Sequence, residues 1–261
     1  MDFTLTKYQC LLIALRKKGY DFRTVESYFK GNKNGRFVLL RHDVDACPEC
    51  SLRMAEMEHA MAIQATYYFR IVAQSNQPEI IRKIVSLGHE IGYHYEDLTL
   101  AKGDFTKAVN LFDEHLRYFR TFYPVQTICM HGSPMFSFDN RDLWKRVYYR
   151  DWQLLGEPYF DINFHQVGYL TDTGRRWNDF KSNRRDRVNA AFRLDVKTTD
   201  QLIEAIEHHY LPDQWMMTTH PQRWTNHWGK WITEWTLQQI KNPIKRFVFN
   251  GGKGFVPNGE V

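Results

Sequence analysis

The strongest constraint on the fold of this chain is a series of short apolar runs that each end in polar or charged residues. Six such runs alternate with segments of helical periodicity. This alternation predicts parallel strands joined by crossover helices, an α/β architecture. Catalytic groups of barrel enzymes lie at the carboxyl ends of the strands. The runs end, in chain order, in RHDVD (41–45), Arg70, His94-Tyr95-Glu96, His131-Gly132-Ser133, Thr171-Asp172-Thr173 and His220.

The length of 261 residues suits one barrel domain that buries its own core. No repeat, linker or low-complexity tract divides the chain, so we expect a single domain over 1–261 with a catalytic core at about 37–221. Periodicity, caps and stop signals define the expected elements. The predicted strands are 37–42, 65–72, 89–94, 126–132, 168–172 and 214–220, and the predicted helices are 6–18, 48–62, 78–88, 104–122, 142–149, 198–210 and 231–240.

The amino-terminal segment does not have the order of a signal peptide, since its short apolar run CLLIAL precedes its basic cluster. No stretch approaches the roughly 18 apolar residues of a membrane span. These features predict a cytoplasmic protein with reduced cysteines. We interpret Cys47 and Cys50 as small residues at a helix start, because no second cysteine pair completes a zinc site.

The net charge of +5 is concentrated in residues 173–189, which hold six Lys/Arg. A solvated loop explains this cluster, and an anionic substrate such as a nucleotide-linked sugar is the alternative. No nucleic-acid-binding motif accompanies the charge, so we expect no nucleic-acid partner.

Two aspartates, Asp43 and Asp45, follow the first buried run. In an extended chain residues i and i+2 face the same side, so the two carboxylates would share one space and need a cation or a proton between them. A bound metal satisfies this requirement if one aspartate ligates and the other acts as a base. The alternative is that Asp45 caps the helix that Pro48 begins. His94 at a neighbouring strand end favours the metal, since His and Asp are ordinary ligands of zinc and similar ions.

These residues resemble the motifs of the polysaccharide deacetylases, the family 4 carbohydrate esterases that share the NodB homology domain. RHDVD (41–45) lies at the place of that family's first motif, GHEIGYH (88–94) leads into the second, and MMTTHP (216–221) is similar to the last. The resemblance implies a distorted (β/α)7 barrel and metal-dependent hydrolysis of N-acetyl groups on sugars. By motif position it implies Asp43 as general base, Asp45 and His94 as metal ligands, and His220 as general acid.

The chain departs from the family pattern in three places. Val44 separates aspartates that are adjacent in the family, so their roles could be exchanged. Leu98 stands where the family has its second histidine, and HGSP (131–134) replaces an arginine-proline motif. We predict His131 as the third ligand because it ends a neighbouring strand, with Glu96 as the alternative. The predicted cofactor is one divalent ion, zinc or another first-row transition metal.

The remaining candidates are contacts to substrate. Arg41, Arg70 and Asp172 lie at strand ends, and Asp172 is also a candidate to orient a catalytic group. Arg175 and Arg176 suit an anionic group and Trp177 a sugar face; a basic loop with one buried aromatic explains the same residues. We expect a small sugar substrate, linked to lipid or nucleotide. The rival hypotheses are another amide or acyl hydrolase on this scaffold, and a metal-free carbohydrate-binding protein.

The carboxyl-terminal segment 228–240 places three tryptophans and Ile232 on one helical face. We predict that this face packs on the barrel. The alternative is that the basic, Trp-rich segment lies on an anionic membrane surface.

Overall fold

A parallel β-sheet forms the centre of the molecule. The computed structural model describes residues 1–132, 138–177 and 188–250, of which 240–250 are described for the backbone alone. The strands of the described residues are β1 Asp21–Arg23, β2 Phe37–Val44, β3 Thr66–Phe69, β4 Glu90–Tyr95, β5 Ile128–Met130, β6 Gly168–Thr171 and β7 Gln214–Thr219. These seven strands form one sheet in the order β5-β4-β3-β2-β7-β6, with β1 paired to β2 outside this path. Their pairings are all parallel, as crossover connections require.

Helices connect the strands and cover the sheet, so that the described residues form one α/β domain around a curled half-barrel. The predicted distorted barrel is confirmed in this form. The helices are α1 Leu5–Lys17, α2 Val25–Phe29, α3 Pro48–Ala60, α4 Pro78–Ser86, α5 Asp97–Leu100, α6 Phe105–Arg120, α7 Pro158–Asp161, α8 Thr199–Glu207 and α9 Trp228–Asn250.

Local sequence explains where several helices begin. Asp104 caps α6 through its side chain, and Thr198 forms a capping box with Gln201 at α8. Pro48 and Pro78 occupy the first turns of α3 and α4, where a missing N–H costs nothing. All six predicted strands and these helices are present near their predicted positions. The predicted helix at 142–149 is instead 3₁₀ structure at Asn140–Lys145 and Tyr149–Trp152.

The short elements β1, α2, α5 and α7 were not predicted. They have 3, 5, 4 and 4 residues, too few to show a period in the sequence. Among the described residues, no helix combines the length and apolar character needed to cross a bilayer.

Cys47 and Cys50 form a disulfide, so the prediction of reduced cysteines is wrong for this pair. The spacing at the start of α3 places their Cα atoms 5.3 Å apart, within bridging distance. Cys10 is exposed and Cys129 is buried, and neither belongs to this disulfide.

The carboxyl-terminal helix α9 packs only in part. Trp231 donates its Nε1 hydrogen to the carbonyl of Asp2 at 2.7 Å. Trp228, Ile232 and Trp235 are 65%, 46% and 45% exposed. The prediction that the whole face packs on the barrel is therefore wrong for these three side chains, because α9 contacts the domain through the neighbouring side that carries Trp231 and Gln238.

Candidate metal centre

The carboxyl ends of β2, β4 and β5 bring Asp45, His94 and His131 together. One ligand atom from each lies within 4.8 Å of the other two. His131 Nδ1 is 3.1 Å from Asp45 Oδ1 and 3.3 Å from His94 Nε2, and His94 Nε2 is 3.7 Å from Asp45 Oδ1. The register explains the convergence, since His94 pairs with Cys129 and His131 follows two residues later.

The two aspartates approach each other through a backbone turn and not through an extended strand. β2 ends at Val44, and the amide of Asp45 donates to the carbonyl of Asp43 at 3.0 Å. Both carboxylates still come near His94 Nε2, at 3.8 Å for Asp43 and 3.7 Å for Asp45. Asp45 does not cap α3, because the N-cap residue is Cys47.

Several features of the three residues fit a metal ion. His94 Nδ1 donates to the carbonyl of Cys129 at 2.9 Å, which leaves the Nε2 lone pair toward Asp45. Burial lowers the pKa of His94 to about 4, so the ring is neutral at pH 7, as a ligand must be. Asp45 Oδ1 is buried and, among the described residues, accepts no hydrogen bond of good geometry despite its nearness to His131. A nitrogen-rich set with one carboxylate is typical of zinc and similar ions.

His131 is held in place through its backbone. Its amide donates to the carbonyl of Tyr95 at 2.8 Å, and its carbonyl accepts from Asn140 Nδ2 at 2.8 Å. Asn140 is fully buried and also accepts from the amide of Thr99. Leu98, at the position of the family's second histidine, is 2% exposed and packs in the core.

Glu96, the alternative ligand, is engaged elsewhere. Its carboxylate accepts from Arg70 Nε at 2.8 Å and Nη2 at 2.7 Å, and its Oε2 is 4.0 Å from the far nitrogen of His131. Arg70 also donates to the carbonyl of Asp45 at 3.2 Å. The Arg70–Glu96 pair therefore lies beside the His131 nitrogen that does not face Asp45, and Arg70 hydrogen-bonds to the backbone of Asp45.

Asp43 is paired with Arg41, two residues earlier on the same face of β2. Arg41 Nε and Nη2 donate to the two carboxylate oxygens at 2.8 and 2.7 Å, and both side chains are buried. Burial raises the pKa of Asp43, but the Arg41 guanidinium together with His94 and His220 outweighs it, so the pKa is below the usual value. Asp43 is therefore ionised at neutral pH, and its hydrogen-bond partner is Arg41 although it lies 3.8 Å from His94 Nε2.

His220 follows β7 and faces the cluster from the other side. Its Nε2 is 3.8 Å from Asp45 Oδ2, and its Nδ1 donates to Asp172 Oδ1 at 2.6 Å. Arg223 and Trp224 donate to the same carboxylate at 2.7 Å each. Burial and Arg223 lower the pKa of His220, but Asp172 and Asp45 outweigh them, so the pKa is raised.

The three residues of the basic loop lie apart from this cluster. Trp177 is 1% exposed and packs near Phe3 and Trp224, which leaves no ring face for a sugar. Arg175 is buried against Trp231, and Arg176 is exposed. The structure does not bring these three side chains to the candidate metal centre.

Sequence reasoning missed the residues that hold Asp172 beside His220, chiefly Arg223 and Trp224. Both belong to the run HPQRW that follows β7, and their positions three and four residues after His220 offered a weak signal. The carbonyl of Cys129 left no signal, because a backbone group is the same in every residue.

Comparison with known proteins gave solved structures only. No family model and no curated protein match the chain. A CE4 family pseudoenzyme from Bacillus anthracis is 13% identical with a TM-score of 0.42, over 80% of this chain and 62% of that one. A mutant of a CE4 family pseudoenzyme with restored enzymatic activity is also 13% identical, with a TM-score of 0.43, over 82% of this chain and 65% of that one.

A third structure is a peptidoglycan deacetylase from Bacillus subtilis, 11% identical with a TM-score of 0.39, over 83% of this chain and 98% of that one. At these values the likeness is distant. The solved structures to which the chain is similar thus include CE4 family deacetylases and pseudoenzymes, the family that its strand-end motifs resemble.

Proposed function

We propose that the protein is a metal-dependent hydrolase that removes an N-acetyl group from a sugar. The observation that carries this proposal is that three groups of different chemistry lie together at the carboxyl-terminal ends of the strands. They are the Asp45, His94 and His131 cluster, the ionised Asp43 and the protonatable His220. A binding pocket does not need this combination of titratable groups, whereas amide hydrolysis needs each of them.

Asp45, His94 and His131 would hold a divalent ion, which when bound lowers the pKa of water and polarises the acetamide carbonyl. Asp43 takes the proton of the attacking water, and Arg41 keeps this carboxylate ionised and oriented. The water oxygen bonds to the carbonyl carbon and the C–N bond breaks. His220 gives the proton from its Nε2 to the departing amine, while Asp172 fixes the ring through Nδ1. The products are acetate and a free amine.

The substrate that we propose is a lipid-linked or nucleotide-linked sugar, a precursor in cell-surface polysaccharide synthesis. This part stays a prediction.

The metal is tested by measuring the metal content of purified variants. We expect His131→Ala to lose the ion and Glu96→Ala to retain most of it, because both oxygens of Glu96 accept from Arg70 and Glu96 approaches only Nε2 of His131, at 4.0 Å, and not the Nδ1 that faces Asp45. If Glu96→Ala empties the site and His131→Ala does not, the ligand set is wrong.

The reaction is tested by acetate release from acetylated sugars, nucleotide sugars and small amides. Asp43→Asn should retain the metal and lose activity, while Asp45→Asn should lose both. If Asp43→Asn strips the metal and Asp45→Asn does not, the two roles are exchanged. A metal-loaded protein that releases acetate from none of these compounds would contradict the deacetylase proposal and favour a binding role.

A further inference from the structure

A cavity apart from the candidate metal centre lies where the start of α9 meets the loop after β6 and the start of α8. Its volume is about 360 Å³, and none of its lining residues belongs to the candidate metal centre. The residues that matter here are Arg175, Arg176, Lys197, Trp231, Trp235 and Gln238.

The cavity wall carries an excess of positive charge. Arg175 is buried; its guanidinium donates to two carbonyl oxygens, at 3.5 Å on Trp231 and 3.4 Å on Asp2, and lies against the ring of Trp231. Arg176 and Lys197 add two exposed cations. The carboxylate of Asp2 already accepts from two backbone amides, of Phe3 at 2.8 Å and of Thr199 at 3.0 Å. The carboxylates of Glu234, Asp172 and Asp2 act on Arg175 at longer range, but no described carboxylate forms a salt bridge with it. A bound anion would therefore give Arg175 a directly paired charge.

An unpartnered acceptor is buried in the same wall. Gln238 is 6% exposed, and its amide nitrogen donates to Glu234 at 2.8 Å. Its Oε1 is buried and accepts no hydrogen bond among the described residues. Such an oxygen is costly unless a donor reaches it, and the hydroxyl of a ligand is a donor of the right kind.

Two tryptophans form a flat apolar surface beside these polar groups. The rings of Trp231 and Trp235 lie within 8° of parallel with centroids 6.3 Å apart. One face of Trp231 is taken by Arg175, whose guanidinium is 4.7 Å from the ring centroid. Trp235 is 45% exposed and offers area to a ligand. Indole surfaces with polar neighbours are characteristic of binding sites for amphipathic ligands.

We propose that this cavity binds a pyranose sugar that carries a phosphate or a carboxylate. Arg175, Arg176 and Lys197 hold the anionic group, Trp235 stacks on the sugar ring, and Gln238 Oε1 accepts from a hydroxyl. The inference goes beyond the proposed function and does not depend on it, because the cavity shares no residue with the candidate metal centre.

The test is a calorimetric titration of the full chain with glucose 1-phosphate, glucuronate, glucose and inorganic phosphate. We expect saturable binding of at least one of the two anionic sugars, with glucose and inorganic phosphate each weaker by about tenfold or more, since each lacks one half of the recognised chemistry. Preference between the two anionic sugars identifies the charged group. Absence of binding by both, or equal binding of inorganic phosphate and glucose 1-phosphate, overturns the proposal.

Variants locate the site. Trp235→Ala and Arg176→Gln should each weaken binding of the anionic sugar by roughly 5–10-fold. Trp228→Ala is the matched control, because Trp228 lies on the same helix, is 65% exposed and does not line the cavity. Asp45→Asn should leave this binding unchanged; if it abolishes binding, the sugar occupies the candidate metal centre instead. A membrane-binding surface is the alternative, and it is tested by sedimenting the protein with anionic phosphatidylglycerol vesicles. If the protein sediments with the vesicles, and Trp228→Ala and Trp235→Ala reduce this binding equally, the sugar site is overturned in favour of a membrane surface.

Discussion

At the scale of single residues, Arg41 and Asp43 are a buried ion pair whose partners depend on each other. Removing one partner leaves an uncompensated charge inside the domain, which costs about 3–5 kcal/mol. We therefore expect Arg41→Met to lower the free energy of unfolding by that amount in urea denaturation.

The matched control for this variant is the double change Arg41→Met with Asp43→Leu. It removes both charges, so it should recover a large part of the lost stability. A double variant as unstable as Arg41→Met alone would show that packing of the guanidinium against Tyr68 and Tyr159, and not its charge, stabilises the site.

His220 makes the proposed reaction sensitive to pH. A general acid must be protonated, so activity should fall as pH rises through the raised pKa of His220, above its usual value of 6.5. Asp172 raises that pKa and is itself ionised throughout, with a pKa of about 2. Asp172→Asn should therefore move the alkaline limb of the kcat/KM profile to lower pH.

The companion variant to Asp172→Asn is Arg223→Gln. The Arg223 guanidinium lowers the pKa of His220, so its removal should move the same limb to higher pH. If neither variant moves the alkaline limb, His220 is not the group that titrates there.

The sequence predicted which residues lie together at the carboxyl-terminal ends of the strands, but not which of them form ion pairs and hydrogen bonds with each other. Strand ends can be predicted from apolar runs, and parallel register then brings Asp45, His94 and His131 together. The rule that residues i and i+2 share a strand face applies to Arg41 and Asp43 as well. In the structure these two residues form a buried ion pair. Burial of Trp177 depends on long-range packing against Phe3 and Trp224, which no local pattern encodes.

At the scale of elements, the side chain of Tyr68 on β3 covers Gly92 on β4, so that this position has no space for a side chain. A Cβ atom at Gly92 would lie 2.2 Å from the ring of Tyr68 and 3.1 Å from the carbonyl of Thr127. We expect Gly92→Ala to lower the free energy of unfolding by about 1–3 kcal/mol or more, because Tyr68 is itself fully buried.

Thermal or urea denaturation measures the effect of Gly92→Ala. The control is Gly229→Ala in the first turn of α9, where the nearest atom to an added Cβ is 3.4 Å away on the side chain of His227. That change should be neutral or mildly stabilising, since alanine is the better helix former. A harmless Gly92→Ala would mean that the ring of Tyr68 does not lie over Gly92.

The disulfide at the start of α3 closes a short loop directly after Asp45. A loop of about four residues removes chain entropy worth roughly 2 kcal/mol from the unfolded state. Cys50→Ser should therefore lower the unfolding free energy by about that amount under oxidising conditions, while Cys10→Ser, at an exposed free thiol, should not. If the parent with and without reductant unfolds at the same urea concentration, the disulfide does not contribute.

At the scale of the whole molecule, the sequence predicted the alternation of strands and helices but not the order of the strands. The order of the strands depends on which face of the sheet each connecting helix packs against. This is a long-range property that no local sequence pattern encodes. The pairing of β2 with β7, the first and the last of the six predicted strands, joins residues 37–42 to 214–219. It brings Asp43 and Asp45 near His220, so the candidate site exists only when the chain is folded from one end to the other.

Three tryptophans between residues 224 and 231 differ in how far they are buried. Trp224 is fully buried, contacts Phe3 and Tyr8 near the amino terminus and donates to Asp172. Trp231 is half-buried, and Trp228 is 65% exposed.

Alanine at these positions should therefore lower the unfolding free energy in a graded series. We expect about 3–5 kcal/mol for Trp224→Ala, about 1–2 kcal/mol for Trp231→Ala and less than about 0.5 kcal/mol for Trp228→Ala. Urea denaturation followed by circular dichroism measures all three, since the signal does not depend on the tryptophan removed. A loss at Trp228 as large as that at Trp224 would show that the exposed face of α9 packs against the domain after all.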